Sequence, residues 1–185
     1  MGKLLLIMGD LATGKSTFAE KLSKRYKTSV FYKDSFKETL GDTIGFSNRE
    51  ENLRLAVASA ALMRMIFREF CKLDKNLILE SNFRRAELEK LHEIAAEYGY
   101  EVLTLSLRAD IKLLHKRFLH RLYNENRHAV HACGGFEEYE NFEEYIHRQR
   151  DLEIPGRVMH LSADCFDYQQ DAAVLSQIDR FMNNT

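Results

Sequence analysis

Eight consecutive residues, Gly9-Asp10-Leu11-Ala12-Thr13-Gly14-Lys15-Ser16, satisfy the pattern G-x-x-x-x-G-K-[ST] in full. The two glycines allow a tight backbone turn whose N–H groups converge on one anion. A helix beginning inside the pattern adds the positive end of its dipole. Lys15 supplies a mobile point charge for the β- and γ-phosphates of a nucleotide. Ser16 offers a hydroxyl to Mg²⁺, with Thr17 as the substitute. The chemistry implied is the gripping of a nucleoside triphosphate, and the residues from Gly9 to Thr17 are its candidate cradle.

Other residues with chemical potential lie further along. Asp34 follows a short apolar run and can accept a proton from an acceptor hydroxyl, orient that hydroxyl, or simply cap a helix. Glu80 ends another apolar run, where a buried carboxylate needs a partner. It can serve the metal ion through a bound water, contact the acceptor, or face an arginine. Asn82 follows, within reach of ligand or backbone. Lys33 and Lys37 flank Asp34 and read as solvated surface or as contacts to the acceptor. Arg117 and Arg121 lie at one edge of an apolar helical face formed by Ile111, Leu114, Phe118 and Leu122, while Lys116 points elsewhere. Arg127 and His128 follow in a polar segment. Arginines closing over a transferring phosphoryl group supply electrostatic stabilisation and exclude water. The competing reading is a basic face paired with Glu137, Glu138 or Glu140.

Positioning these groups calls for strands alternating with helices. Lys3–Met8 is a continuous apolar run suited to a central buried strand. A helix over about 15–26 carries Phe18, Leu22 and Tyr26 on one stripe. Ser29–Tyr32, Asn76–Glu80, Tyr100–Leu107 and Arg157–Leu161 read as further strands. Asp34 begins a helical segment ending near Gly41. Ser47 with Glu50 forms a capping-box pattern for a long helix reaching Leu73, whose apolar middle (Val57, Ala60, Ala61, Leu62, Met65, Ile66) reads as buried. Helices over about 85–98, 110–123, 137–151 and 170–182 complete the pattern, with Gly99 and Asp110 as caps. A loop spans 124–136. The expected fold is α/β, three layers, one domain over 1–185 with a small helical lid at about 110–136.

Composition narrows the partners. The chain has 185 residues, 45% hydrophobic and 30% charged, with net charge −1. That charge gives no global attraction to nucleic acid or an anionic membrane. Cys71, Cys133 and Cys165 lack metal-ligand spacing and read as reduced thiols of a cytoplasmic protein. His115, His120 and His131 are too scattered to make a metal site. No run is long enough for a membrane span. A guanine-reading Asn-Lys-x-Asp segment is lacking, which argues against a GTPase switch. The long apolar strand with paired acids of remodelling ATPases is lacking too.

The ordered set of segments resembles the P-loop kinases related to zeta toxins, chloramphenicol phosphotransferase and the 5′-kinase domain of polynucleotide kinases. Gly9–Ser16 corresponds to the phosphate loop, Tyr32–Glu38 to the segment that contacts the acceptor, Leu77–Phe83 to the third strand, and Arg117, Arg121 and Arg127-His128 to the lid. The resemblance implies a five-stranded parallel sheet in order 2-3-1-4-5, ATP as nucleotide, and Ser162-Ala163-Asp164 near the adenine. Where the lid of that family often reads Arg-His-Pro-Gly-His, this chain reads Arg127-His128-Ala129-Val130-His131. The expected activity is Mg²⁺-dependent transfer of the γ-phosphoryl group from ATP to a hydroxyl of a small molecule. Lys15, Asp34, Arg121 and Arg127 are the expected catalytic residues, Arg117 a nucleotide contact, and Ser16 with Glu80 the metal side. The alternatives are a nucleotide-binding regulator with slow hydrolysis and a kinase of nucleic-acid 5′ ends.

Overall fold

The computed structural model describes residues 1–131 and 135–183. Five parallel strands, β1 (Lys3–Gly9), β2 (Ser29–Tyr32), β3 (Leu77–Glu80), β4 (Glu101–Arg108) and β5 (Arg157–Ser162), form one sheet in the order β2-β3-β1-β4-β5. The expected strand order is thus the observed one. Helices α1 (Lys15–Tyr26), α2 (Lys33–Ile44), α3 (Arg49–Lys72), α4 (Arg85–Tyr98), α5 (Ile111–Asn124), α6 (Tyr139–Arg150) and α7 (Ala172–Asn183) connect and cover the strands.

The apolar run of β1 is explained by its two buried faces. Successive side chains of a strand point to opposite sides. Leu5 and Ile7 enter a core with Phe18, Leu105, Phe142 and Ile178, whereas Leu4, Leu6 and Met8 enter a second core with Met63, Phe67, Leu79 and Leu88. Because the chain has apolar side chains to offer on both sides of its central strand, helices are retained on both faces.

Register brings the functional segments together. Ile7 pairs with Glu80, Tyr32 also pairs with Glu80, and Gly9 pairs with Leu107. The carboxyl ends of β1, β2 and β3 therefore align, and the residues just past them share one crevice. Gly9 has φ 131°, and a Cβ there would meet the Leu107 carbonyl oxygen at 2.1 Å. Only glycine permits the chain to leave β1 this close to β4.

Four expectations about the helices need correction. Asp34 is not a cap: the N-cap of α2 is Tyr32, and Asp34 sits in the first turn, where a carboxylate suits the dipole. The helix also continues past Gly41 to Ile44. The cap of α3 is Asn48 rather than Ser47. Its side chain accepts from the Glu51 N–H at 2.9 Å, while the Glu51 carboxylate takes the Ser47 N–H at 2.6 Å. Asn caps as well as Ser does, so the box shifts by one residue. Finally, α3 is not buried all round. Val57 is 60% and Met65 56% exposed, since only one side of α3 meets the sheet and α4.

Within the expected loop, Ala129–His131 forms a 3₁₀ turn. Val130 is buried against Gly41, where a Cβ would lie 2.5 Å from Val130 Cγ1. Cys133 lies outside the described residues. Gly9→Ala should cost roughly 3 kcal/mol of folding free energy in urea denaturation, from strained φ plus the backbone clash.

Candidate active site

Asp10, the first variable residue of the phosphate loop, uses every polar group it has. Its N–H donates to the Leu107 carbonyl at 2.9 Å. Its own carbonyl accepts from Lys15 Nζ at 2.6 Å and from Thr13 Oγ1 at 2.8 Å. Its carboxylate, on a residue only 2% exposed, accepts from Arg150 Nη2 at 2.6 Å and from the Ala109 N–H at 3.3 Å. Arg150 also donates to the Ala109 carbonyl. The last turn of α6 is thereby fastened to the phosphate loop and to the end of β4. Sequence reading missed Arg150, whose place in a basic last turn is equally explained by the helix dipole.

Lys15 and Glu80 are both buried. Ser16 Oγ donates to Glu80 Oε2 at 3.0 Å. Burial pushes the Lys15 ammonium below its ordinary value, and Glu80, Asp34 and Asp10 oppose that shift. Burial pushes the Glu80 carboxyl up against the opposing charge of Lys15. Neither charge is fully compensated by the protein, and Asp34 is close enough to both to be felt by each.

The basic segment divides into two parts. Arg117 donates to the carbonyls of Ala163 and Asp164, both at 2.7 Å, and lies 4.4 Å from the centre of the Phe166 ring. The loop after β5 is in turn tied to the phosphate loop, because Tyr168 donates its hydroxyl to the Thr13 carbonyl at 2.8 Å. Arg121 pairs with Glu125 at 3.0 Å and its charge reaches Lys15 and Glu80. Arg127 lies over the Phe118 ring at 5.4 Å, and burial followed by the Arg121 charge pushes its guanidinium below the ordinary value. No ion pair joins Arg117, Arg121 or Arg127 to Glu137, Glu138 or Glu140 among the described residues.

The 3₁₀ turn docks on α2 and α3. Lys37 Nζ and Asn52 Nδ2 donate to the Val130 carbonyl at 2.9 and 3.0 Å. His128 Nε2 meets Asp42 at 2.9 Å, and His131 Nε2 meets Glu38 at 2.8 Å. Lys37 is therefore not merely solvated surface. Lys33 is not either: it is buried and pairs with Glu87 at 2.6 Å. Lys116, expected to point away, lines the cleft together with Lys15, Asp34, Arg121 and Arg127.

This cleft has a volume of about 1900 Å³ and runs from the phosphate loop towards α2 and α3. Its lining includes every expected catalytic, phosphate-binding and metal-side residue except Gly9 and Asp10, whereas Ser162, Ala163 and Asp164, expected near the adenine, do not line it. Among the described residues no cluster of three or more His, Cys, Asp or Glu could hold a metal ion alone. The Ser16–Glu80 oxygen pair nevertheless suits a hard cation that takes most of its ligands from phosphate and water. No helix among the described residues is long and apolar enough to cross a membrane.

A parallel sheet in this order, with a phosphate loop after its central strand, defines a P-loop fold of the kinase type. The chain belongs to an AAA domain family, whose model matches residues 4–133. None of the curated proteins matches it. Solved structures give the same fold. A suspected kinase from Chloroflexus aurantiacus j-10-fl superposes with TM-score 0.83 at 24% identity, over 98% of each chain. A gluconokinase from Sinorhizobium meliloti 1021 has TM-score 0.65 at 14% identity, covering 98% of this chain and 94% of that one. The tunicamycin resistance protein of Deinococcus radiodurans has TM-score 0.63 at 19% identity, covering 100% and 98%.

Two consequences can be measured. Arg150→Met leaves the Asp10 carboxylate buried without its counter-ion and should cost about 3–5 kcal/mol in chemical denaturation, with part of the loss recovered by adding Asp10→Asn. Glu80→Gln should act in the opposite direction. A carboxyl whose proton affinity is raised by folding holds its proton longer in the native than in the unfolded state. Its destabilising effect is therefore absent below the ordinary value of 4.5 and grows as pH rises through the raised value. The melting temperature of Glu80→Gln without nucleotide should match wild type at about pH 4 and exceed it at about pH 8.

Proposed function

We propose that the protein is an ATP-dependent, Mg²⁺-requiring kinase that phosphorylates a hydroxyl of a small molecule. The observation that carries this reading is that the Lys15 ammonium shares one cleft with two carboxylates, Glu80 at the end of β3 and Asp34 in the first turn of α2, just past β2. The resemblance to zeta toxins, chloramphenicol phosphotransferase and polynucleotide 5′-kinase domains supports the same class. So do the neighbours of like fold that are themselves named as a gluconokinase and a sugar kinase.

In this reading the N–H groups of the phosphate loop and Lys15 hold the β- and γ-phosphates. Lys15 Nζ exchanges part of its bond to the Asp10 carbonyl for phosphate oxygen. Arg117, fixed between the 163–164 carbonyls and Phe166, serves the nucleoside side. Ser16 and Glu80 would hold the metal ion, which would neutralise charge on the phosphates. Asp34 orients the acceptor hydroxyl and takes its proton. The acceptor oxygen then bonds to the γ-phosphorus as the bond from that phosphorus to the β–γ bridging oxygen breaks, leaving ADP. Arg121 and Arg127 stabilise the charge on the transferring group. Val130, seated on α2 and α3, holds the segment carrying Arg127 across the cleft.

Asp34→Asn should lower kcat for acceptor-dependent ADP release by about 10²–10⁴-fold while leaving ATP affinity unchanged. The check is a coupled ADP assay over a panel of hydroxylated acceptors, paired with calorimetric ATP titration. Equal turnover by mutant and wild type would remove Asp34 from the mechanism.

A further inference from the structure

The outer side of α3 carries a row of apolar residues that nothing covers among the described residues. The helix packs against α2, α4 and β3. On its other side Leu53 is 43%, Val57 60% and Met65 56% exposed, and Ala61 is exposed as well. These four residues are spaced four apart, so they are successive neighbours along one face of the helix. At 1.5 Å per residue the row is about 18 Å long. Of the eight large apolar side chains exposed among the described residues, three fall on this row, so the exposure is concentrated rather than scattered. Single exposed apolar residues are ordinary, whereas a contiguous line of them marks a contact surface.

Charge at the two ends of the row identifies what would cover it. Glu50 lies beyond one end and Arg68 beyond the other, both exposed. They are separated by about five whole turns, so both point the same way as the row. A parallel second copy of α3 would set Glu50 against Glu50 and Arg68 against Arg68. An antiparallel copy related by a two-fold axis instead sets Glu50 against the partner's Arg68, Leu53 against the partner's Met65 and Val57 against the partner's Ala61. The small Ala61 side chain lets the two helix axes approach to about 10 Å. The same axis sets Arg54 against the partner's Arg64, but Arg54 is already offset by Glu50 at 2.7 Å. Glu50 and Arg68 each have an exposed pair on their own chain, Arg54 and Glu97, and exposed pairs of this kind are weak enough to be shared.

We infer that two copies of this chain associate through a two-fold, antiparallel pairing of their α3 helices, with the Leu53–Met65 rows in contact and Glu50 facing the partner's Arg68 at each end. Burial of the rows drives the association, and the end charges set its direction and register. Leu53 also lines the cleft, so the interface begins at the cleft's rim. Val57, Ala61 and Met65 stand outside the cleft, and the inference does not depend on the kinase reading.

The test is sedimentation velocity of the whole chain over roughly 1–200 μM. Wild type should pass from monomer to a species of twice the mass as concentration rises. Val57→Glu, which places a charge in the apolar contact, should raise the dimer dissociation constant by about tenfold or more. Position 57 is exposed in the monomer, so circular dichroism and thermal melting of this variant at the lowest concentration should match wild type. Met65→Glu is a second variant of the same design. Charge reversal then tests the register. Glu50→Arg and Arg68→Glu should each weaken association roughly threefold, and the double variant Glu50→Arg/Arg68→Glu should recover it. The inference is overturned if wild type stays monomeric throughout, if Val57→Glu and Met65→Glu dimerise as wild type does, or if the double reversal associates no better than the single ones.

Discussion

The structure depends on the fixing of Asp10. A phosphate loop must hold several N–H groups in one direction, and a flexible glycine-bearing turn does not do so unaided. Here the second residue of the loop is gripped from three sides: by β4 through the Leu107 carbonyl, by α6 through Arg150, and from within through Thr13 and Lys15. The loop after β5 adds a fourth restraint through Tyr168 and the Thr13 carbonyl. Each restraint comes from a different part of the chain, so the cradle is a product of the whole sheet and its helices.

From that fixed point the electrostatics of the cleft follow. Lys15 and Glu80 are withdrawn from water to a degree that neither offsets for the other, as the directions of their shifts record. Such an arrangement costs stability and is characteristic of sites that complete their charge balance with a ligand. A polyphosphate with a hard cation would supply both missing signs. Arg121 is exposed and, among the described residues, pairs with Glu125 alone, so its guanidinium can respond as charge moves. Docking of the 3₁₀ turn by Val130, Lys37 and Asn52 brings Arg127 over the same space.

Much of this was legible in the sequence. The apolar run before Gly9 gave β1, the turn pattern gave the cradle, and the five strands gave the sheet, since each depends on local periodicity and a short motif. What was not legible depends on contacts between distant residues. Arg150 and Asp10 are far apart in the chain, and no local pattern connects them. Lys33 flanks Asp34 as a surface residue would, yet it is buried against Glu87. Val57 and Met65 look like core in a helix rich in apolar residues, but only tertiary packing decides which side of α3 is covered. The lid segment reads as loop because its ordering comes from Gly41 and Asn52 rather than from its own residues.

The central claim is that Lys15 and the loop pinned through Asp10 bind a nucleoside triphosphate by its phosphates. Calorimetric titration of ATP into wild type and Lys15→Ala, each with and without Mg²⁺, tests it most directly. The account requires saturable binding by wild type that Mg²⁺ strengthens and that Lys15→Ala loses. Equal affinity in the two proteins, or no binding of any nucleoside triphosphate by wild type, would contradict it.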